Sequence, residues 1–313
     1  MFYNLFLERH YIFVVLCLLF TFNIFAFEIT PEEGNDMIFL DISYETQANV
    51  EGVVDGRVID DSDTLRAFNL YLDKTFLITS TDNSKLKVSY SLYDMQYDTF
   101  SENDFRLHSP SSTWRWFQTS NITHDFKLGY ELAELDSDKL YDGFVFTYNA
   151  TFKNTDYGKR KFIYQLNTFD YGIDFNNDRN GLRNRFEAKW YLTKRTYPLT
   201  LSTRFENRTA DDDGFAYNGI EGLGQIEFTL FDNLIDCNAR VGLRFRKFND
   251  DYPDFTKTRS DKKISLSSSG EYTFQDDRMS LSSEILYEKN SSNIDDFDLK
   301  NISISMHFTL LFD

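Results

Sequence analysis

The chain has 313 residues and a formal net charge of −17, with 33 basic against 50 acidic side chains, a balance that excludes nucleic acid as a natural partner. Aromatic residues make up 17% of it, with 32 Phe and 19 Tyr against 4 Pro and 14 Gly, which excludes a disordered secreted polymer and favours strands. A mean hydropathy of −0.46 does not exclude a membrane. A transmembrane barrel interleaves lipid-facing and water-facing residues and averages out as polar.

The N-terminus reads MFYNLFLERHYIFVVLCLLFTFNIFAFEIT, with Arg9 and His10 ahead of an apolar run from Tyr11 to Phe22 and a small residue at Ala26. That run is short for a membrane helix and predicts a secretory signal peptide over residues 1–26. Cys17 leaves with it. Cys237 is then the only cysteine, so no internal disulfide braces an exported domain. Beyond this segment no stretch approaches the roughly 20 consecutive apolar residues of a membrane helix.

From residue 37 onward the pattern has a period of two, the mark of strands with one apolar and one polar face. IFLDISYETQANVEG places Ile38, Leu40, Ile42 and Tyr44 on one parity and Asp41, Ser43, Glu45 and Gln47 on the other. Strands follow over 64–76 and 84–97. In FRLHSPSSTWRWF, Pro110 removes a ladder donor and predicts an irregular strand or an edge. Further strands are expected over 121–134, 140–153, 158–173, 181–193, 197–209 and 217–230. LYDGFVFTYNATFK is the cleanest, with Phe144, Phe146, Tyr148, Ala150 and Phe152 on one face. IDCNARVGLRFRKF, DKKISLSSSGEYTF, MSLSSEILYEKN and NISISMHFTLLFD complete a set of about fourteen. Links such as KRTYP, FDN and QDDR are tight, whereas TADDDGFAYNG and NDDYPDFTKTRS, on the other side, read as long and acidic.

An even number of strands, aromatics on one parity and charges on the other predict an antiparallel, up-and-down transmembrane β-barrel over residues 37–313, behind a periplasmic segment 27–36. In lipid every backbone polar group needs an internal partner, so the last strand has to close against the first. Short turns then mark the periplasmic side and long acidic loops the outside. The final strand, with Phe308, Leu310 and Phe312 on the lipid parity before Asp313, resembles the terminal assembly signal of bacterial outer-membrane barrels. From about Lys85 to the end, including FDLKNISISMHFTLLF, the chain is similar to porin-like barrels and to the barrel region of surface-lipoprotein assembly modifiers. The resemblance implies a Gram-negative outer-membrane location, contact with lipopolysaccharide and with the barrel-assembly machinery, and no cofactor.

The inward parity predicts a charged lumen: Arg183, Arg185, Glu187 and Lys189, then Arg204, Glu206 and Arg208, then Glu221 and Glu227, then Arg240, Arg244 and Arg246. Opposite charges on neighbouring strands pair laterally, and an unpaired arginine surplus would guide anions. Fourteen strands predict a narrow channel, plugged only if residues 27–36 or a loop fold inward. NNDRNGLRNRFE (176–187) has the spacing of a calcium loop, but Asn opens it and strands flank it, so a polar loop with a turn glycine accounts for it. Asp211–Asp213 and Asp250–Asp254 read as solvated loop charge, the alternative being divalent-cation bridges to lipopolysaccharide phosphates. His307 lies two residues from Ser305 on the lumen parity, and a polar wall explains it better than a nucleophile does. Two of the N-x-S/T sequons, at Asn149 and Asn301, fall inside predicted strands and read as chance. The expected function is passive diffusion of small hydrophilic solutes without catalysis. The alternative is a surface-assembly or adhesion factor anchored by its barrel.

Overall fold

Alternating sequences satisfy their backbone only by lateral pairing, and here each of the long strands finds a partner on both edges. The computed structural model describes residues 29–31, 37–54, 57–59, 63–78, 83–98, 101–154, 158–172, 177–193, 197–231, 234–253, 255–274 and 278–312. The signal peptide expected over 1–26 lies outside the described residues. The strands are β1 (Ile29–Pro31), β2 (Met37–Val54), β3 (Arg57–Ile59), β4 (Asp63–Ile78), β5 (Ser84–Tyr97), β6 (Phe105–Thr119), β7 (Ile122–Leu135) and β8 (Asp138–Asn154). They continue as β9 (Gly158–Tyr171), β10 (Gly181–Leu192), β11 (Leu199–Ala210), β12 (Tyr217–Leu230), β13 (Ile235–Asp251), β14 (Thr258–Thr273), β15 (Met279–Ser292) and β16 (Leu299–Phe312).

The sheet is antiparallel throughout and closes on itself. β2 pairs with β4 from Met37↔Asp73 to Gln47↔Asp63, and its other edge takes β16, with Phe312↔Ile38 and Phe308↔Ile42 in register. β1 and β3 are short extensions at the two ends of the first hairpin, so the cylinder itself has 14 strands. Closure leaves no edge to present to lipid.

Three details differ from the sequence reading. β6 is irregular, as expected, but an interior strand and not an edge: it pairs with β5 through Pro110↔Tyr90 and with β7 on either side of the proline, with a register shift between Phe117 and Thr119. The missing proline donor therefore costs only a local gap, between His108↔Leu132 and Ser111↔Gly129. Secondly, the acidic links are about half strand: what remains between strands is 211–216, 252–257 and 293–298, six residues each, against six in 193–198 and five in 274–278 opposite. The two sides differ because the strands run further past the apolar zone on one of them. Thirdly, Ile29–Pro31, part of the segment considered as a plug, is laid into the wall beside Phe76–Ile78.

The outer face is a continuous apolar belt. Ile38, Ile42, Phe144, Phe186, Phe205, Val241, Leu266, Ile285, Ile304 and Met306 are all exposed on it. Toward the end that holds Phe312, rings meet across strands: Trp114 stacks on Phe126 at 5.3 Å and Trp116 on His124 at 5.1 Å, and Phe126 packs tilted against Tyr148 at 5.0 Å. An exposed apolar surface of this extent around a closed sheet is matched by acyl chains and not by water.

Candidate functional site

The inner face carries the polar parity. Strand register places Arg183, Arg185, Glu187 and Lys189 of β10 opposite the belt residues Leu182, Phe186 and Ala188, and so inside the bore. β11 contributes Arg204, Glu206 and Arg208, β12 Glu221 and Glu227, and β13 Arg240, Arg244 and Arg246 to the same wall.

Part of this wall is neutralised laterally. Arg204 reaches Glu221 at 2.8 Å and Glu187 at 3.3 Å, and Lys189 takes the other Glu187 oxygen at 3.2 Å. Glu187 is only 2% exposed, so its carboxylate depends on these cations. Arg246 pairs with Glu206 at 2.8 Å. Glu227 and Arg240 meet Gln225 instead of each other, at 3.2 and 3.3 Å. Among the described residues Arg183, Arg185 and Arg244 have no ion-pair partner, and the Nε atoms of Arg183 and Arg185 are buried without a hydrogen bond. The bore therefore holds both paired charge and a cationic remainder.

Above this layer, at the end opposite Phe312, the mouth is built from stacked rings and guanidiniums. Arg259 on β14 lies 3.5 Å from the ring centroid of Phe297 and within about 5 Å of Phe248 and Tyr252, while its Nη2 is 2.9 Å from Asp261. Tyr252 packs edge-on against Phe297 at 4.8 Å and Phe215 at 5.3 Å. Arg179 covers Phe215, Arg183 and Arg208 cover Phe169, and Arg246 covers Tyr217 at 4.5 Å. Arg208 also donates to Tyr171 Oη at 3.2 Å and to the Arg179 carbonyl at 3.1 Å. The loops 211–216, 252–257 and 293–298 thus turn their aromatics inward, and Phe215 and Phe297 are buried.

Sequence reasoning took these loops for solvated acid. The overlooked signal is that each one sets an aromatic behind its aspartates: DDDGF, DDYPDF and DDF. Asp211, Asp213, Asp250, Asp251, Asp295 and Asp296 are exposed, Asp212 accepts from Gly214 N at 2.7 Å to form its turn, and the aromatic then points back into the barrel.

Two other candidates resolve differently. Glu187, the twelfth position of the calcium-like spacing, sits in β10 six residues beyond Gly181, or about 20 Å along an extended strand, and is committed to Arg204 and Lys189. It cannot fold back to complete a loop site. His307 Nε2 lies 3.1 Å from Ser305 Oγ, and its Nδ1 lies 3.5 Å from Asp41 Oδ2 across the β16–β2 seam. This has the order of a hydrolytic triad. However, Ser305 is 5% exposed, and the backbone around it is engaged in the ladder from Glu45 to Glu284, so no amides are free to hold an oxyanion. Asn149 and Asn301 stand on the inward parity, and Asn290 is buried and donates to the Phe297 carbonyl at 2.8 Å. Phe308, Leu310 and Phe312 lie on the outer face of β16.

Compared with known proteins, the chain matches the family described as "Protein of unknown function (DUF2860)" over residues 123–309. The search of the curated proteins found no match. Among solved structures it is similar to an outer membrane channel from Pseudomonas putida F1, at 7% identity over 90% of this chain and 99% of that chain, with a TM-score of 0.45. It is also similar to OprD of Pseudomonas aeruginosa, at 10% identity over 89% of this chain and 96% of that one, with a TM-score of 0.45. A loop-deletion mutant of OmpT, an outer membrane protein of Vibrio cholerae, matches at 9% identity, 91% and 100% coverage and a TM-score of 0.48.

Proposed function

The chain belongs to the DUF2860 family, and we propose that this member is a bacterial outer-membrane channel for passive diffusion of small hydrophilic solutes, with a preference for anions and no catalytic role. The observation that carries the reading is a water-compatible, charged inner wall inside a closed cylinder with an apolar outer wall. With strands about 4.8 Å apart and tilted about 40°, fourteen of them enclose a backbone cylinder roughly 28 Å across. Long inner side chains narrow it, and no link between successive barrel strands from β4 onward exceeds nine residues, too few to fold down the full length of the bore.

The anion preference rests on Arg183, Arg185 and Arg244, which form no ion pair among the described residues; Glu206 and Glu221, the register neighbours of Arg185 and Arg244, are engaged by Arg246 and Arg204. The paired set, Glu187, Lys189, Arg204, Glu206, Glu221 and Arg246, holds the wall in shape and contributes little net field. Arg208, Glu227 and Arg240 line the same path. Phe308, Leu310 and Phe312 serve as the terminal segment read by the barrel-assembly machinery. The short external links weigh against a surface-assembly or adhesion factor, which needs protruding loops.

Liposome swelling with neutral sugars of graded size tests the channel, and reversal potentials in planar bilayers under a salt gradient test the preference. The wild type is expected to swell liposomes and to favour chloride. Arg185→Gln combined with Arg244→Gln should move the reversal potential toward zero. An impermeable wild type would refute the channel, and a cation preference would refute the role given to these arginines.

A further inference from the structure

The outer face carries a second pattern, just above the apolar belt. In β13 to β16 the residue two positions past the last apolar one is always lysine. Lys247 follows Phe245, Lys262 precedes Ile264, Lys289 follows Tyr287 and Lys300 precedes Ile302. All four are exposed, and strand register sets them side by side, with Lys289 directly opposite Lys300. Like charges directly opposed on a sheet destabilise it. The remaining register partners, Asn218, Phe245, Ser260, Ile264 and Ser291, are uncharged; only Lys300 faces an acid, Glu51. Among the described residues none of the four has an ion-pair partner.

At the same height elsewhere the collar is balanced. Arg66 pairs with Asp98 at 2.9 Å, Arg106 with Asp94 at 2.8 Å, and Lys139 with Asp142 and Asp170 at 2.9 and 3.1 Å. Between the two arcs, Asn207 and Asn218 bond to each other at 2.9 Å. Four adjacent lysines without an ion pair among the described residues, one of them, Lys262, 5.8 Å from the ring centroid of Phe245, are therefore a local exception in a chain of net charge −17.

The lysine arc also has shape. An open groove of about 620 Å³ runs over β12 to β15 on this face, lined by Ile220 and Phe245 below and by Lys247, Lys262, Asn218 and Ser260 above. Its lower edge is continuous with the belt. Its upper edge offers ammonium, amide and hydroxyl donors, the groups that take phosphate oxygens. A ligand that fits both must combine acyl chains with a phosphorylated headgroup. We infer that the Lys247–Lys262–Lys289–Lys300 arc and its groove form a docking site for a phosphorylated glycolipid of the outer leaflet.

This site is on the opposite side of the wall from the bore, so its test does not involve conductance. The barrel is extracted into detergent, freed of lipid and titrated in native mass spectrometry with diphosphoryl lipid A, with phosphatidylethanolamine, and with inorganic phosphate alone. The expected result is a saturable lipid A adduct that weakens at least tenfold when all four lysines are changed to Gln, and is unchanged in the Arg66→Gln/Arg106→Gln control. A heat-modifiability gel establishes that the quadruple variant is folded. If it is not, Lys247→Gln with Lys262→Gln replaces it, with an expected loss of at least threefold. Undiminished lipid A binding by the folded variant, equal binding of phosphatidylethanolamine, or saturable binding of inorganic phosphate alone would each overturn the inference. A dimer of the chain that lipid A fails to displace would overturn it too, because a second copy would then occupy this face.

Discussion

A charge placed at one level of the belt and then at another separates a membrane wall from a water-exposed one. On β16 the outward residues from Ile302 to Phe312 span ten residues. At about 3.3 Å per residue and a tilt near 40°, that is a vertical extent of about 25 Å, the height of the lipid-facing band in such barrels. Met306 lies four residues below the upper edge, or about 10 Å into the band, and is 52% exposed. If acyl chains surround it, Met306→Arg should cost about 2–4 kcal/mol, and Ile302→Arg at the upper edge about 1 kcal/mol or less. In water, a half-exposed methionine replaced by arginine would change stability by no more than about 0.5 kcal/mol at either level. The assay is equilibrium urea unfolding of the barrel refolded into phosphatidylcholine vesicles, read by tryptophan fluorescence, since all 3 tryptophans, at 114, 116 and 190, are in wall strands. A flat profile, with both variants within 0.5 kcal/mol of wild type, would refute the membrane-spanning reading.

Glu187→Gln removes a buried carboxylate shared by Arg204 and Lys189 and should cost about 3 kcal/mol in the same unfolding assay, with Lys189 left without its anion. Gly158 opens β9 with φ +84°, and a Cβ there would lie 1.9 Å from the Tyr191 carbonyl oxygen; Gly158→Ala should lose about 2–3 kcal/mol or fail to refold in vesicles. Phe297→Ala removes the ring that Arg259 and Tyr252 rest on, a local loss of about 3 kcal/mol. Because the ring belongs to a loop, single-channel conductance should rise while the unfolding midpoint of the wall moves little.

Much of the wall is legible in the sequence because period two is a strong signal when lipid and water enforce it on opposite faces. Arg240, Arg244 and Arg246 declare themselves inward as soon as Val241, Leu243 and Phe245 are read outward. Loop length is less legible, since strands that protrude beyond the belt lose the apolar half of their alternation and look like loop: Asn249–Asp251 is strand backbone with loop-like composition. Pro110 marks an irregular strand and not an edge, because a proline removes one donor on one edge, and a strand flanked on both sides survives the local gap. The aromatic mouth was illegible for a different reason. Its rings come from three loops far apart in the chain, and only closure of the barrel brings Phe215, Tyr252 and Phe297 together.

The net charge of the chain says little about what a passing solute meets, because the charges are sorted by location. Among the described residues, exposed carboxylates without an ion pair crowd the external loops, as at Asp211, Asp213, Asp295 and Asp296, while Glu131, Asp236, Glu271 and Glu284 stand on the inner wall. Arginines without partners concentrate in the bore, where walls of low polarisability and limited water strengthen their field. Loop charges in bulk salt are screened within about 10 Å at 0.1 M, so they act on solutes arriving at the mouth and not on those already inside. The aromatic and guanidinium stacks lie between the two zones, and they hold Arg179, Arg208 and Arg259 through ring faces and carbonyls as well as carboxylates. A cation so held keeps its charge available to the lumen. An overall acidic protein thereby presents a basic interior, and the bore should attract anions despite a chain that repels them at a distance.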